Sequence, residues 1–150
     1  MSRTGADGDD GENGIFSAIG PEQCAELLTE HSIGRVAWQS AEGQQILPVT
    51  YVWFEGTVIF RTSPYGVLSE LIRPTDVAFE VDDLDQNHHR GWSVVVHGRA
   101  EAVADSGDLA RMWAVGGVVP WASGTRNLFI RIKPDRLSGR RVTARTDRSW

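Results

Sequence analysis

The sequence predicts a mainly β protein, and three observations point to that class. Runs of β-branched and aromatic residues recur along the chain, as at residues 57–62. Short turn signals such as Glu55-Gly56 join neighbouring runs, which indicates antiparallel hairpins. Few helix patterns lie between the strands, which argues against βαβ units. Six strands of this length can close into a small barrel.

The individual elements follow from the apolar patterns and turn residues. Pro21 suits the first turn of a helix over residues 21–31, in which Cys24, Leu27 and Leu28 share one face. The predicted strands and extended pieces cover residues 33–39, 45–54, 57–62, 76–81, 91–103, 127–133 and 138–142. Shorter helices are predicted over residues 65–72 and from Asp105, as its cap, to about 115. Residues 82–90 are predicted as a polar connection and residues 116–124 as an irregular apolar stretch.

Length, charge and cysteine content limit the classes of protein. The 150 residues fit one domain over residues 16–143, with a disordered leader at 1–15 and a flexible tail at 144–150. The single cysteine, Cys24, excludes an internal disulfide and favours a reducing cytoplasm. No apolar run approaches the roughly 20 residues that span a bilayer. The net charge of −5 disfavours generic nucleic-acid binding.

The segment Phe60-Arg61-Thr62-Ser63-Pro64 has the composition of an anion site. Arg61 supplies a planar fork of donors, and the two hydroxyls can donate as well. Pro64 suits the first position of a following helix, whose free N–H groups would favour a phosphate ester. The alternative is that Arg61 is a solvated strand residue and Ser63-Pro64 only caps the helix. Pro48, inside the preceding strand, predicts an edge or a bulge there.

Six segments, taken in order, carry a resemblance to a known family. They are Ile33-Gly34-Arg35-Val36-Ala37, Leu47-Pro48-Val49-Thr50-Tyr51, Phe60-Arg61-Thr62-Ser63-Pro64, residues 77–82, residues 91–100 and Pro120-Trp121. This set resembles the pyridoxamine 5′-phosphate oxidase-like family of FMN-binding split β-barrels, in its small actinobacterial-type branch. The resemblance implies a six-stranded antiparallel Greek-key barrel and a tight homodimer with one FMN in each of two interface grooves.

The resemblance also implies roles for individual residues. Arg61 and Thr62 would hold the FMN phosphate, helped by Ser63 and the amides after it. The flavin-bordering residues would be Pro48, Val49 and Tyr51 on one strand, Trp92 and Ser93 on a later strand, and Trp121. Members commonly carry a lysine where this chain has Val67, so one phosphate contact is lost here.

The resulting expectation is a cytoplasmic flavoprotein oxidoreductase. Its cofactor would be FMN, or alternatively the deazaflavin F420, and its small-molecule substrate is not identified by the sequence. The redox chemistry would reside in the ring, so no catalytic side chain is named. The alternative is a carrier or sensor without turnover that binds F420, flavin or haem, or a cofactor-free dimeric barrel. Neither His97 nor the charged cluster Asp82, Asp83, Asp85, His88 and His89 is predicted as a functional site.

Overall fold

The structure is a computed structural model that describes residues 15–115 and 128–144. The strands are β1 Ile15–Ile19, β2 Ile33–Ser40, β3 Gly43–Phe54, β4 Thr57–Thr62, β5 Thr75–Asp85, β6 Arg90–Ala102 and β7 Leu128–Thr143. The helices are α1 Pro21–Glu30, α2 Ser106–Val115 and a 3₁₀ helix at Val67–Ile72. Three parts of the chain lie outside the described residues: residues 1–14 of the expected leader, residues 116–127 with Trp121, and residues 145–150 of the expected tail. No helix within the described ranges has the length and apolarity needed to cross a membrane.

Six strands close into a ring in which every pairing is antiparallel. Their order is β7-β4-β3-β2-β5-β6, and β6 pairs again with β7. This confirms the predicted mainly β split barrel. The count of six was one too low, because β1 adds a seventh strand beside residues 139–143 of β7. Only five residues long and next to a glycine-rich stretch, β1 gave no strand pattern that stood out in the sequence.

Strand β7 closes the barrel by pairing with β4 and β6. Residues 127–133 and 138–142 were expected as two pieces, but one strand runs through Pro134 and pairs with β6 along its length. The register shifts between His97 and Gly98, and this irregularity accommodates the proline. On its other edge, β7 pairs first with β4 and then, near its end, with β1.

Two apolar cores hold the fold together. Alternate residues of the strands fill the barrel interior, and α1 adds Cys24 and Leu28 to that core. The Cys24 thiol is fully buried and donates to the Ile19 carbonyl at 3.6 Å, and burial raises its pKa, as expected of a core residue. A smaller core lies under α2, on the outer face of β4 and β7, and consists of Ile59, Val103, Met112 and Phe129.

Two further predicted elements differ from the structure. Residues 82–85, expected in a polar connection, continue β5, because their pairing with β6 runs from Asp82 opposite Ser93 to Asp85 opposite Arg90. The Asp85 carboxylate then closes the turn by accepting the N–H groups of Asn87 and His88. The helix expected over residues 65–72 is a 3₁₀ helix that begins two residues later.

Candidate functional site

Among the described residues, no strand pairs with the outer edge of β3 over residues 43–50, and this edge is called the open edge. Strand β3 pairs with β2 along that length, whereas β4 pairs only with residues 51–54. The Tyr51 amide donates to Ser32, so the odd-numbered residues of β3 bond to β2 and the even-numbered ones face the other edge. Pro48 therefore lacks its N–H on the open side, where no ladder bond is lost, as its sequence position predicted. The backbone groups of Thr50 and the Pro48 carbonyl face the same edge.

Arg61 lies beside this edge, at the end of β4. Tyr51 pairs with Phe60, so Thr50 stands opposite Arg61. The Arg61 side chain points to the outer face of the barrel, where its guanidinium carbon lies 4.4 Å from the ring centroid of Trp113 and 5.6 Å from that of Phe129. Stacking of this kind occupies the face of a guanidinium and leaves its N–H donors in the plane.

Thr62 points the other way, into the barrel. It is 1% exposed, and its Oγ1 has no hydrogen-bond partner among the described residues. Its cross-strand partner Leu128 packs on the main core, whereas Arg61 pairs with Phe129 of the smaller core. The two neighbours therefore do not share a face, and one anion could reach both only around the end of β4. A buried hydroxyl left unpaired costs about 1–3 kcal/mol.

The turn after β4 differs from the predicted helix start. Gly66 caps the 3₁₀ helix, and Pro64 lies in the turn before it, so Pro64 is not the first helical residue. The Ser63 hydroxyl accepts the Tyr65 amide at 3.1 Å, which leaves its own proton to donate. A six-residue 3₁₀ helix offers little dipole, so any anion here depends on the side chains and turn amides. Tyr65 and Val67 are exposed, at 92% and 53%.

Two residues expected near the flavin point inward instead. Val49 packs against the main core. Tyr51 is buried, and its hydroxyl donates to the Leu28 carbonyl at 2.6 Å while its ring meets Phe79 edge-on at 4.9 Å. The Tyr51 side chain is enclosed by the core, so only its backbone is available for the role that the resemblance implies, whereas the Val49 side chain is only partly buried.

Trp92 and Ser93 lie on β6, where they pair with the end of β7 that is far from Arg61. Trp92 pairs with Arg141, whereas Arg61 pairs with Phe129 near the start of that strand. The Trp92 ring meets His31 edge-on at 4.9 Å and borders a cleft of about 300 Å³ that Asp83, Arg90, Arg141 and Thr143 also line. Ser93 faces outward on the next position. A single chain therefore does not bring Arg61 and Trp92 to one ligand.

The outer face of β2 and β5 carries a compact charged group. Arg35 lies 3.5 Å from Glu80 and 3.6 Å from Asp82. Burial, and the hydrogen-bonded Asp82 carboxyl beside it, raise the pKa of Glu80 to about 7 against the opposing effect of Arg35. Glu80 thus changes charge near neutrality, on a face that is only partly exposed.

The histidines form no metal site in the described ranges, where no group of three or more ligating side chains occurs. His88 Nδ1 lies 2.7 Å from the Asp85 carboxylate within a turn. His97 Nδ1 accepts from Arg136 at 3.1 Å, on the outer face of β6.

The sequence analysis gave no role to two residues of the site: Thr50, which lies inside the segment of residues 47–51, and Trp113, which lies in no motif. The position of Thr50 follows from the two-residue turn, because pairing of Phe54 with Thr57 fixes the register back to Arg61. Trp113 has no comparable signal. It lies four residues after Leu109 on α2, which is the spacing of an ordinary core-facing stripe.

These features define a small antiparallel split barrel with a cationic, aromatic-backed site beside an open strand edge. A family model described as pyridoxamine 5′-phosphate oxidase matches residues 20–141, and the chain belongs to that family. The uncharacterised protein Rv0080 of Mycobacterium tuberculosis is 33% identical over 128 residues, which are 82% of this chain and 83% of that protein.

Solved structures show the same fold. The FAD binding protein from Mycobacterium smegmatis is 29% identical, with a TM-score of 0.72 over 85% of this chain and 98% of that one. A conserved protein of unknown function from Corynebacterium diphtheriae is 30% identical, with a TM-score of 0.69 over 85% and 98% of the two chains.

Proposed function

We propose that this protein binds a flavin nucleotide and serves as a flavin-dependent oxidoreductase. The observation that carries the proposal is Arg61, held on an aromatic platform beside the open edge of β3, in a chain of this family. The flavin phosphate would lie at Arg61 and Ser63, and the ring edge would meet the Pro48 carbonyl and the Thr50 amide on the outer edge of β3. When bound, the flavin would supply the electron or hydride transfer.

The donor set of the described residues fits one phosphate. Arg61 offers charge-assisted donors, and the Ser63 hydroxyl has a proton to donate. The Thr62 hydroxyl is buried on the opposite face of β4, so its backbone and not its side chain would border the phosphate. The chain lacks the second cation that a lysine at position 67 would provide. FMN is the first choice of cofactor, and F420 is the alternative. FAD is a third candidate, because the similar protein from Mycobacterium smegmatis is an FAD binding protein.

The proposed assembly is a homodimer in which each flavin touches both chains. Arg61 and Trp92 lie at opposite ends of β7, so one ligand that meets both needs them from two protomers. Exposed apolar side chains, among them Ile46, Leu84 and Trp113, would lose contact with water in such an assembly. Sedimentation velocity of the purified protein tests the stoichiometry, and a monomer at all concentrations contradicts it.

Equilibrium titration tests the cofactor. FMN, FAD and F420 are each titrated into the apoprotein and followed by fluorescence and calorimetry. We expect one nucleotide to bind at one per chain, and Arg61→Ala to weaken it roughly 10- to 100-fold. Failure of all three to bind contradicts the proposal.

A carrier or sensor without turnover is the second candidate, and the exposed Val67 in place of a lysine favours it, because a weakly held cofactor exchanges readily. Reduction of the bound flavin separates the two. An oxidoreductase accelerates reoxidation by some acceptor beyond the rate of free flavin, whereas a carrier does not.

A further inference from the structure

Trp113 is the one large aromatic side chain of α2, and the helix that carries it is firmly fixed to the barrel. The Asp105 carboxylate accepts the Asp108 amide at 2.9 Å and caps the helix. Asp108 in turn binds Arg111 at 2.6 Å and Arg131 of β7 at 3.2 Å. Met112 is buried in the smaller core. The position of the following residue is therefore set by the scaffold.

The indole itself is oriented by a second aromatic ring. Trp113 and Phe129 meet edge-to-face, with centroids 5.2 Å apart and planes at 89°. Phe129 is 1% exposed and pairs directly with Arg61 across β4 and β7. The outer part of the indole stays open, since Trp113 is 52% exposed. The buried Phe129 ring thus supports the exposed Trp113 ring, and the Trp113 ring in turn packs against Arg61.

In the proposed site, Arg61 would carry more of the anion binding than an arginine with a neighbouring lysine. It is the only lysine or arginine between residues 61 and 72. A long side chain loses rotamer freedom when it binds, and a stacked guanidinium has lost part of that freedom beforehand. The in-plane N–H donors of a stacked guanidinium have the geometry for a bidentate contact with phosphate.

We propose that Trp113 is a positioning residue that holds the Arg61 guanidinium for the flavin phosphate and thereby offsets the absence of a lysine at position 67. This inference rests on the proposed flavin site. Trp113 acts through Arg61 and makes no contact with the ring of the ligand.

The experiment compares FMN with riboflavin, which has the same ring and no phosphate, in wild type and Trp113→Leu. We expect Trp113→Leu to weaken FMN about 3- to 30-fold and to leave riboflavin unchanged. The loss should not exceed that of Arg61→Ala, and adding Trp113→Leu to Arg61→Ala should cost nothing further. Trp113→Phe should restore most of the FMN affinity. Phe54→Leu, which removes the ring 5.8 Å from Arg111 beside the same smaller core, is the matched control and should not change the ratio.

The contrary outcomes fall into two groups, which overturn two different statements. If Trp113→Leu lowers the affinities for FMN and riboflavin equally, the indole contacts the flavin ring. If it raises the affinity for FMN, the indole keeps Arg61 away from the phosphate. Either result overturns the positioning role. Equal affinities of FMN and riboflavin in wild type, or no binding of either, contradict the phosphate site itself and hence the proposed function.

Discussion

The ring of Phe79 lies directly against the Cα of Gly34 on the neighbouring strand of the barrel. A Cβ built at Gly34 would overlap that ring, although the backbone there has no unusual conformation. Phe79 is fully buried and meets Tyr51 edge-on, so it has little room to move. Close packing of two strands, and not a turn, is the reason for a glycine at this position.

Gly34→Ala should therefore lower the free energy of unfolding by about 1–3 kcal/mol, the usual cost of overpacking a core. Urea unfolding monitored by tryptophan fluorescence measures it. Gly66→Ala is the control, because a Cβ there meets nothing within 4 Å, and its effect should stay within about 0.5 kcal/mol. Equal stabilities of Gly34→Ala and wild type would show that Phe79 repacks freely.

Val67→Lys should tighten FMN roughly 10- to 100-fold, because a lysine at this exposed position adds a charge-assisted contact to the phosphate. Calorimetric titration gives the affinity. Ile72→Lys, at the other end of the same 3₁₀ helix, separates a specific contact from a general gain of positive charge. The same improvement in both variants, or in neither, would place the phosphate away from this turn.

Tyr51→Phe tests whether Tyr51 belongs to the core or to the ligand site. Loss of its hydrogen bond to the Leu28 carbonyl should cost about 0.5–1.5 kcal/mol of stability and leave flavin affinity unchanged. Tyr65→Phe, at the other tyrosine, should leave stability unchanged, because that side chain is exposed. Weaker flavin binding by a stably folded Tyr51→Phe protein would return Tyr51 to the ligand site.

Mixed dimers test the composite site. Arg61→Ala and Trp92→Ala homodimers should each bind flavin weakly, because every site lacks one contact. Co-expression of the two variants should recover wild-type affinity at about a quarter of the sites, since each heterodimer regains one intact site. Flavin content at a concentration between the two affinities measures the recovery. No recovery, with heterodimers shown by mass spectrometry, would mean that each site belongs to one chain.

Glu80 should make the protein less stable as the pH rises through neutrality. Its folded-state pKa of about 7 lies above the ordinary glutamate value, so its contribution is fully present below about pH 4.3 and is lost as the pH rises through 7. The melting temperature of wild type minus that of Glu80→Gln should fall between pH 5.5 and 8. Glu101→Gln is the control, because Lys133 lowers the pKa of Glu101 and moves its effect to acid pH. A pH-independent difference for Glu80→Gln would contradict this assignment.

The sequence predicted most of the strands because their signals are local. Glu55-Gly56 marked the hairpin, the apolar run of β4 gave its bounds, and Asp105 marked the start of α2. What could not be predicted depends on contacts between distant segments. Residues 82–85 have the composition of a connection, and only their pairing with β6 makes them a strand. Likewise, strand alternation separates the side chains of Arg61 and Thr62, which look like one motif in the sequence.

Strand β7 closes the ring, and it follows every other described strand along the chain. During synthesis, one edge of β4 and one edge of β6 therefore remain unpaired until residues 128–143 have emerged from the ribosome. Edges of this kind recruit other chains, and pairings between distant segments form slowly. Substitutions that weaken β7 should thus first reduce the yield of soluble protein, before any effect on the ligand site of the molecules that do mature.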